Sequence, residues 1–396
     1  VFMKHFTFIF TLMIFFSLTI TNIANGVNDN PFKHFTSVKV IENSPGLSQA
    51  TFSTKDIPLY KETILLSWEN GAWVNRLKTI ETWNTAYTRS ESIQQLWNNG
   101  QWNNEYKYVM DVIIDFANNI IRIQNVETHA WQNSAWTLLG RSTYTYDSNN
   151  FLVEISNKMQ LGPQLIEMAK IVFINNSVGM PLIETDQSLN FQTMQLENEG
   201  KILYTYNNTN PKYLETELEQ AWVNSNWYDT TKYTYVRNSL LNVTSELDQY
   251  FIGGSGSPIN NNLTETNYDQ SGKYDLETIY KQWNFGTNQW QLNWKRTLTY
   301  NANWDLTLEL AETYDSGTYT PWFRTTYTYN SNNQVIEEFT ENYIAKGWEN
   351  SDKRLISYSP TSVSDENGIT DYSLAQNYPN PFNPSTTISF QLPNSS

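Results

Sequence analysis

The chain has 396 residues, of which 39% are apolar and 15% aromatic, with 15 Trp, 25 Tyr and 19 Phe. That length allows more than one domain and a sizeable core, but the core must be built largely from rings. A formal net charge of -15 with no basic run excludes a phosphate-backbone binder, and the absence of cysteine excludes disulfides, thiol catalysis and Cys metal sites.

Residues 1–26 read as a secretory signal peptide. Met3-Lys4-His5 is a short basic start, Phe6 to Ile20 is an almost unbroken apolar run, and Ala24-Asn25-Gly26 places small residues for cleavage after Gly26. The run is shorter than the roughly 20 residues that span a bilayer. No other segment is apolar enough to cross, so no stable membrane span is expected. Val1-Phe2 ahead of Met3 points to an upstream start or a fragment boundary. Residues 27–59 form an N-terminal extension.

Residues 60–358 carry a degenerate Trp/Tyr-rich repeat. Its first half places two tryptophans five positions apart around Asn-Gly or Asn-Ser: WENGAW (68–73), WNNGQW (97–102), WQNSAW (131–136) and WVNSNW (222–227). Asn-Gly is the preferred pair for a two-residue hairpin loop. The residues flanking it then pair first, and the two rings sit directly opposite each other. The predicted pairs are Trp68–Trp73, Trp97–Trp102, Trp131–Trp136 and Trp222–Trp227. Trp283 and Trp290 form a fifth pair with a longer loop, and Trp348-Glu-Asn-Ser keeps only the first half of the motif.

The second half is a Tyr-x-Tyr strand, an Asn-rich turn and an acidic-apolar strand. RSTYTYDSNNFLVEI (141–155) is the clearest copy, and RTTYTYNSNNQVIEEF (324–339) matches it. Ser142, Tyr144 and Tyr146 face one way, and Arg141, Thr143 and Thr145 the other. This period of two in Thr, Tyr and Trp is the pattern of half-buried antiparallel strands. Copies are spaced irregularly, at about 30 to 60 residues, with insertions in loops. FIGGSGSPINNNLTE (251–265) reads as one such loop.

The element Tyr144-Thr-Tyr-Asp147, with its relative Tyr327-Thr-Tyr-Asn330, resembles the YD repeats of Rhs-type surface and toxin-shell proteins. That resemblance implies hairpins added in series. The expected fold is therefore all-β: serial antiparallel hairpins forming an extended twisted sheet or an open solenoid.

Residues 359–372 are polar and read as a linker. The segment after it, SLAQNYPNPFNPSTTISFQLP (373–393), closely resembles the opening of the type A C-terminal sorting domain of type IX secretion. The matching core is Gln376, Asn377, Tyr378, Pro379, Asn380, Pro381, Phe382, Asn383 and Pro384, followed by a strand from Thr387 to Leu392. The prolines forbid helix and fix extended or turn geometry. The resemblance implies the type IX machinery as a partner and an extracellular or outer-surface location. Only the first strand of that domain is present, so the sorting domain reads as truncated.

Chemistry is sparse. Of the three histidines, His5 lies in the leader, and His34 and His129 are isolated, so no metal site is expected. His129 would share a strand face with Trp131. Glu154, Glu215, Glu309 and Glu337 recur after the Tyr-x-Tyr turns, and repetition points to a solvated acidic face rather than to catalysis. No phosphate loop, nucleophile elbow or zinc-protease motif occurs. No catalytic residue and no cofactor is assigned. The reading is a secreted or surface β-repeat protein with a non-enzymatic scaffold or adhesion role. A carbohydrate-binding module using Trp and Tyr platforms is the alternative, with an extracellular glycan or surface protein as partner. A glycoside hydrolase with carboxylates not yet placed is a further alternative.

Overall fold

The computed structural model describes residues 58–115, 120–254, 256–345 and 347–358, and short strand segments between 373 and 391. The signal peptide, the extension up to residue 57 and the linker lie outside the described residues, as do the side chains of the sorting motif.

Twenty strands run from Tyr60 to Tyr358 and pair as ten hairpins. The first five are β1 (Tyr60–Glu69) with β2 (Ala72–Trp83), β3 (Arg89–Asn98) with β4 (Gln101–Asp115), β5 (Ile120–Gln132) with β6 (Ala135–Tyr146), β7 (Leu152–Leu161) with β8 (Gln164–Asn175), and β9 (Pro181–Asn190) with β10 (Gln195–Tyr206). The second five are β11 (Leu214–Val223) with β12 (Asn226–Arg237), β13 (Val243–Tyr250) with β14 (Ile259–Tyr268), β15 (Asp275–Asn284) with β16 (Gln289–Tyr300), β17 (Leu306–Asp315) with β18 (Thr318–Tyr329), and β19 (Val335–Ile344) with β20 (Gly347–Tyr358). Towards the C-terminus, Ser373–Leu374 pairs with Phe390–Gln391 and Tyr378–Asn383 with Ser385–Thr387. Of the strand expected from Thr387 to Leu392, the described residues Thr387 and Phe390–Gln391 are in strands, and the rest lie outside the described residues.

The expected open sheet or solenoid is corrected by one pairing. β20 returns to β1 in antiparallel register from Lys61↔Tyr358 to Ser67↔Asp352, so the twenty strands close into a barrel. The physical reason is the edge. An open sheet leaves two rows of unpaired backbone groups, and twist of about 20–25° per strand prevents so many strands from staying flat. Closure pairs both edges and absorbs the twist as strand tilt.

The repeat is also more regular than the tryptophans imply. The ten hairpins begin at Tyr60, Arg89, Ile120, Leu152, Pro181, Leu214, Val243, Asp275, Leu306 and Val335, which lie 29 to 33 residues apart. Residues 251–265 are not one loop, because Ile259 opens β14.

Every hairpin carries one extra residue on its second strand, two to four positions past the first paired residue. The inserted residues are Arg76, Glu105, Leu139, Met168, Glu199, Thr230, Asn261, Asn293, Trp322 and Ser351. Such a bulge inverts the alternation of side chains beyond it. Trp136 and Tyr144 are eight residues apart and would share a face by period two, yet the bulge at Leu139 puts them on opposite faces. The Trp pairs therefore share a face with Arg141, Thr143 and Thr145, which are exposed.

The Tyr-x-Tyr face holds almost all the buried strand residues: Ser90, Ser92 and Gln94 on β3, Met110 and Val112 on β4, Val126 and Ala130 on β5, and Ala221, Thr278 and Ala311 further round. Side chains converge there, so it is the lumen wall, and the Trp face is the outside. The strand glutamates do not share one solvated face. Glu154 and Glu337 lie outside beside Lys170 and Lys353. Glu309 lies inside and accepts the Tyr327 hydroxyl, and Glu215 sits at a register shift and accepts from Asn207.

Candidate functional site: aromatic outer pairs and the lumen wall

Asn70 and Gly71 have φ of +50° and +80°, and Asn99 and Gly100 have +52° and +78°, the left-handed pair that a type I′ turn requires. The register then places Trp68 opposite Trp73, Trp97 opposite Trp102, Trp131 opposite Trp136 and Trp222 opposite Trp227. Trp283 faces Trp290 across a four-residue loop. Ring centroids lie 5.0 Å apart in four pairs and 4.8 Å in Trp222–Trp227, with planes crossed at 56° to 71°. Edge-to-face contact of this kind contributes about 0.5–1.5 kcal/mol beyond area burial.

Two further pairs complete the pattern. Tyr314 faces Tyr319 at 5.0 Å, and Tyr343 faces Trp348 at 5.2 Å. Trp348 is thus the second member of a pair, not the first half of a broken motif. Two other hairpins put Gln160–Leu165 and Leu189–Leu196 in the same place, whereas the first pair of the β13–β14 hairpin, Tyr250–Ile259, lies one step further from the turn and on the other face.

Two residues beyond each bulge the chain carries a cation in nine hairpins of ten: Lys78, Lys107, Arg141, Lys170, Lys201, Lys232, Lys295, Arg324 and Lys353, with Leu263 in the tenth. These side chains lie outside. Lys170 pairs with Glu154, Lys295 with Glu277 and Glu312, and Arg324 with Glu341. Six of the nine also reach the ring of the next hairpin. Lys78 lies over Trp102 at 5.2 Å, Lys107 over Trp136 at 5.6 Å and Lys201 over Trp227 at 4.0 Å. Lys295 lies over Tyr319 at 4.7 Å, Arg324 over Trp348 at 4.4 Å and Lys353 over Trp73 at 5.2 Å. The outer rings are held by a partner ring on one side and, in these hairpins, a cation on the other.

His129 shares the outer face with Trp131, as its spacing implied. Partial burial lowers its pKa, and its Nε2 lies 3.6 Å from Glu127. Among the described residues no group of His, Asp and Glu is arranged to hold a metal ion.

The lumen wall has different chemistry. The last side chain of an even strand reaches back to a carbonyl at or near the start of the preceding odd strand. Tyr146 donates to Ile123, Tyr268 to Val243, Tyr300 to Asp275, Tyr329 to Leu306 and Tyr358 to Val335, at 2.9–3.0 Å except 2.8 Å for Tyr329. Five residues past the bulge, a tyrosine donates to a glutamate instead: Tyr204 to Glu184 at 2.9 Å, Tyr235 to Glu217 at 3.1 Å and Tyr327 to Glu309 at 3.3 Å. Burial, with Glu184, raises the Asp186 carboxyl to about 7. Burial raises Glu199 to about 7 as well, with Asp186 beside it. Burial also raises Glu217 and Glu246.

Between β12 and β16 this wall forms a recess of about 320 Å³, lined among others by Tyr233, Glu246, Asp248, Asn262, Tyr280 and Trp294. Tyr280 and Trp294 are directly opposite on β15 and β16 and stack face to face, with centroids 3.6 Å apart and planes 11° off parallel. Trp322, at the bulge of β18, meets the edge of Trp294 at 6.3 Å and remains 49% exposed. Asp248 Oδ2 accepts from the amides of Asn261 at 2.7 Å and Asn262 at 2.8 Å.

No family model matches this chain. No curated protein matches it either. Among solved structures, it is similar over 73% of its length to TcdB2-TccC3-TEV, at 12% identity and TM-score 0.31, and it spans 18% of that chain. It is also similar to a porin-like protein from Bacteroides uniformis at 9% identity and TM-score 0.31, over 76% of this chain and 98% of that one. A Bacteroides fragilis protein of unknown function overlaps 46% of this chain and 96% of its own, at 13% identity and TM-score 0.18.

None of the recess residues was singled out in the sequence. The available signal was subtraction: Trp294 and Trp322 belong to no Trp pair, and both stand at or next to a bulge.

Proposed function

We propose a secreted bacterial β-barrel with a non-enzymatic scaffold or adhesion role, displayed at the cell surface through the type IX route by its Gln376–Pro384 motif. The observation that supports it best is the girdle of Lys and Arg on the outer face, interleaved with aromatic pairs. A cation held at mid-strand costs about 2–4 kcal/mol on a lipid-facing barrel wall. Nine such positions favour a barrel standing in water, its outer rings engaged in holding neighbouring hairpins together. The lumen wall is equally polar, with tyrosine hydroxyls satisfying its glutamates. The signal-peptide pattern and the sorting-domain resemblance supply the route outward.

Carbohydrate binding is the second reading, and the recess beside Trp294 favours it over the outer Trp pairs. The hydrolase alternative has no comparable support.

Surface display is tested by proteolysis of intact cells expressing the full chain, in a type IX-competent bacterium and in the same strain with the machinery disabled. The proposal predicts barrel fragments released from competent cells alone. Equal protection in both strains would overturn it.

A further inference from the structure

We infer that the lumen wall between β12 and β18 is a carbohydrate-binding site, taking a neutral sugar ring in the recess and a neighbouring unit over Trp322. The volume, about 320 Å³, is at the small end of ligand pockets, which suits one or two rings rather than an extended chain. Three aromatic side chains from β15, β16 and β18 line up along one side. Tyr280 and Trp294 stiffen each other by stacking, and Trp322 continues the strip with half its surface open. Trp322 also meets Phe323 edge-on at 5.2 Å, which fixes its orientation, and its exposed half leaves a flat ring that suits the C–H face of a pyranose.

The polar side of the recess selects the ligand class. Asp248 is already bonded by two amides, so it and Asn262 present acceptors and donors side by side. Glu246 stands two residues away on the same strand and face, with the Tyr233 ring beside it. Hydroxyls donate and accept together, as this set requires. A cation would use only the carboxylates, one of which is engaged. The nearest basic residue of the lining, Lys281, is turned outward and bound to Glu265 at 2.6 Å. Recognition inside the lumen goes beyond surface display: a barrel that never reaches the surface would still bind, and a displayed barrel that ignores sugars would fail on this point alone.

The test is calorimetric titration of the full chain with soluble cello-, chito-, malto- and xylo-oligosaccharides, and separately with spermine. At least one oligosaccharide series is expected to bind. Trp322→Ala and Glu246→Gln, each checked for an unchanged urea midpoint, are expected to weaken it tenfold or more, and Trp131→Phe on the outer face to leave it unchanged. Two variants are used so that misfolding of one leaves the other decisive. The inference is overturned if no series binds, if both folded lumen variants bind as the parent does, if the outer variant alone loses binding, or if spermine binds and the sugars do not.

Discussion

Lys353 on the last strand holds its ammonium 5.2 Å from the centre of the Trp73 ring on β2, across the seam where the barrel closes. The same contact joins Lys78 to Trp102 and Arg324 to Trp348 within the run of hairpins. The seam is therefore built like any other junction: the first hairpin receives from the tenth what the second receives from the first. A cation over a tryptophan face contributes about 0.5–1 kcal/mol at an exposed site. Lys353→Met should lower unfolding free energy by about 1 kcal/mol in urea titration, and Lys78→Met by a similar amount. A seam variant with no effect beside a costly Lys78 variant would mean that the ends are not joined as the others are.

Two turns carry serine where glycine fits better. Ser134 and Ser225 have φ of +61° and +63°, at the place Gly71 and Gly100 occupy in their hairpins. The left-handed region costs an ordinary L-residue about 1–2 kcal/mol, partly offset by the extra freedom glycine has when unfolded. Ser225→Gly should raise the urea midpoint, by a few tenths to about 1 kcal/mol in stability. Asn224→Val at the preceding position, with φ of +49°, should lower it.

The tyrosine rungs at the opposite end are separable from the rings' packing. Tyr329→Phe removes only the hydroxyl that donates to Leu306 and leaves that carbonyl one partner short. The expected loss is about 0.5–1.5 kcal/mol, measured by denaturant titration. Tyr329→Leu should cost more, because it also removes ring packing.

The lumen carboxyls set a pH dependence. Asp186 and Glu199 have folded-state pKa values raised to about 7. Between the unfolded carboxylate range and pH 7 the folded state therefore holds more protons than the unfolded one. The slope of unfolding free energy with pH is negative in that window, so stability rises as pH falls from 7 towards 5. Urea midpoints should be higher at pH 5 than at pH 8, and Asp186→Asn should reduce the difference. A parent chain more stable at pH 8 would contradict the burial of these groups.

The hairpins were legible because Asn-Gly and a fixed Trp spacing are local facts. Trp68 faces Trp73 for reasons contained in six residues. The period was not, because Gln160–Leu165 and Leu189–Leu196 occupy the pair position without tryptophan and the β13–β14 hairpin opens on Tyr250–Ile259, so counting tryptophans skips hairpins. The faces were misleading for a related reason: a single inserted residue such as Leu139 inverts the pleat, and Trp136 and Tyr144 part company although their spacing is even. The Lys and Arg two residues past the bulge recur visibly, but their meaning needs the register between hairpins. Closure and the lumen recess depend on strands distant in sequence, Lys61 with Tyr358 and Glu246 with Trp294, and no local pattern announces them.

Closure is the central claim, and the absence of cysteine makes it directly measurable. Glu62 and Ser357 are opposite each other on β1 and β20. Cysteines introduced at both, spin-labelled and measured by double electron–electron resonance, should give one narrow distance below roughly 20 Å, as for labels on neighbouring strands about 4.8 Å apart. A broad distribution at several tens of ångströms, the span of an open sheet of twenty strands, would contradict the barrel.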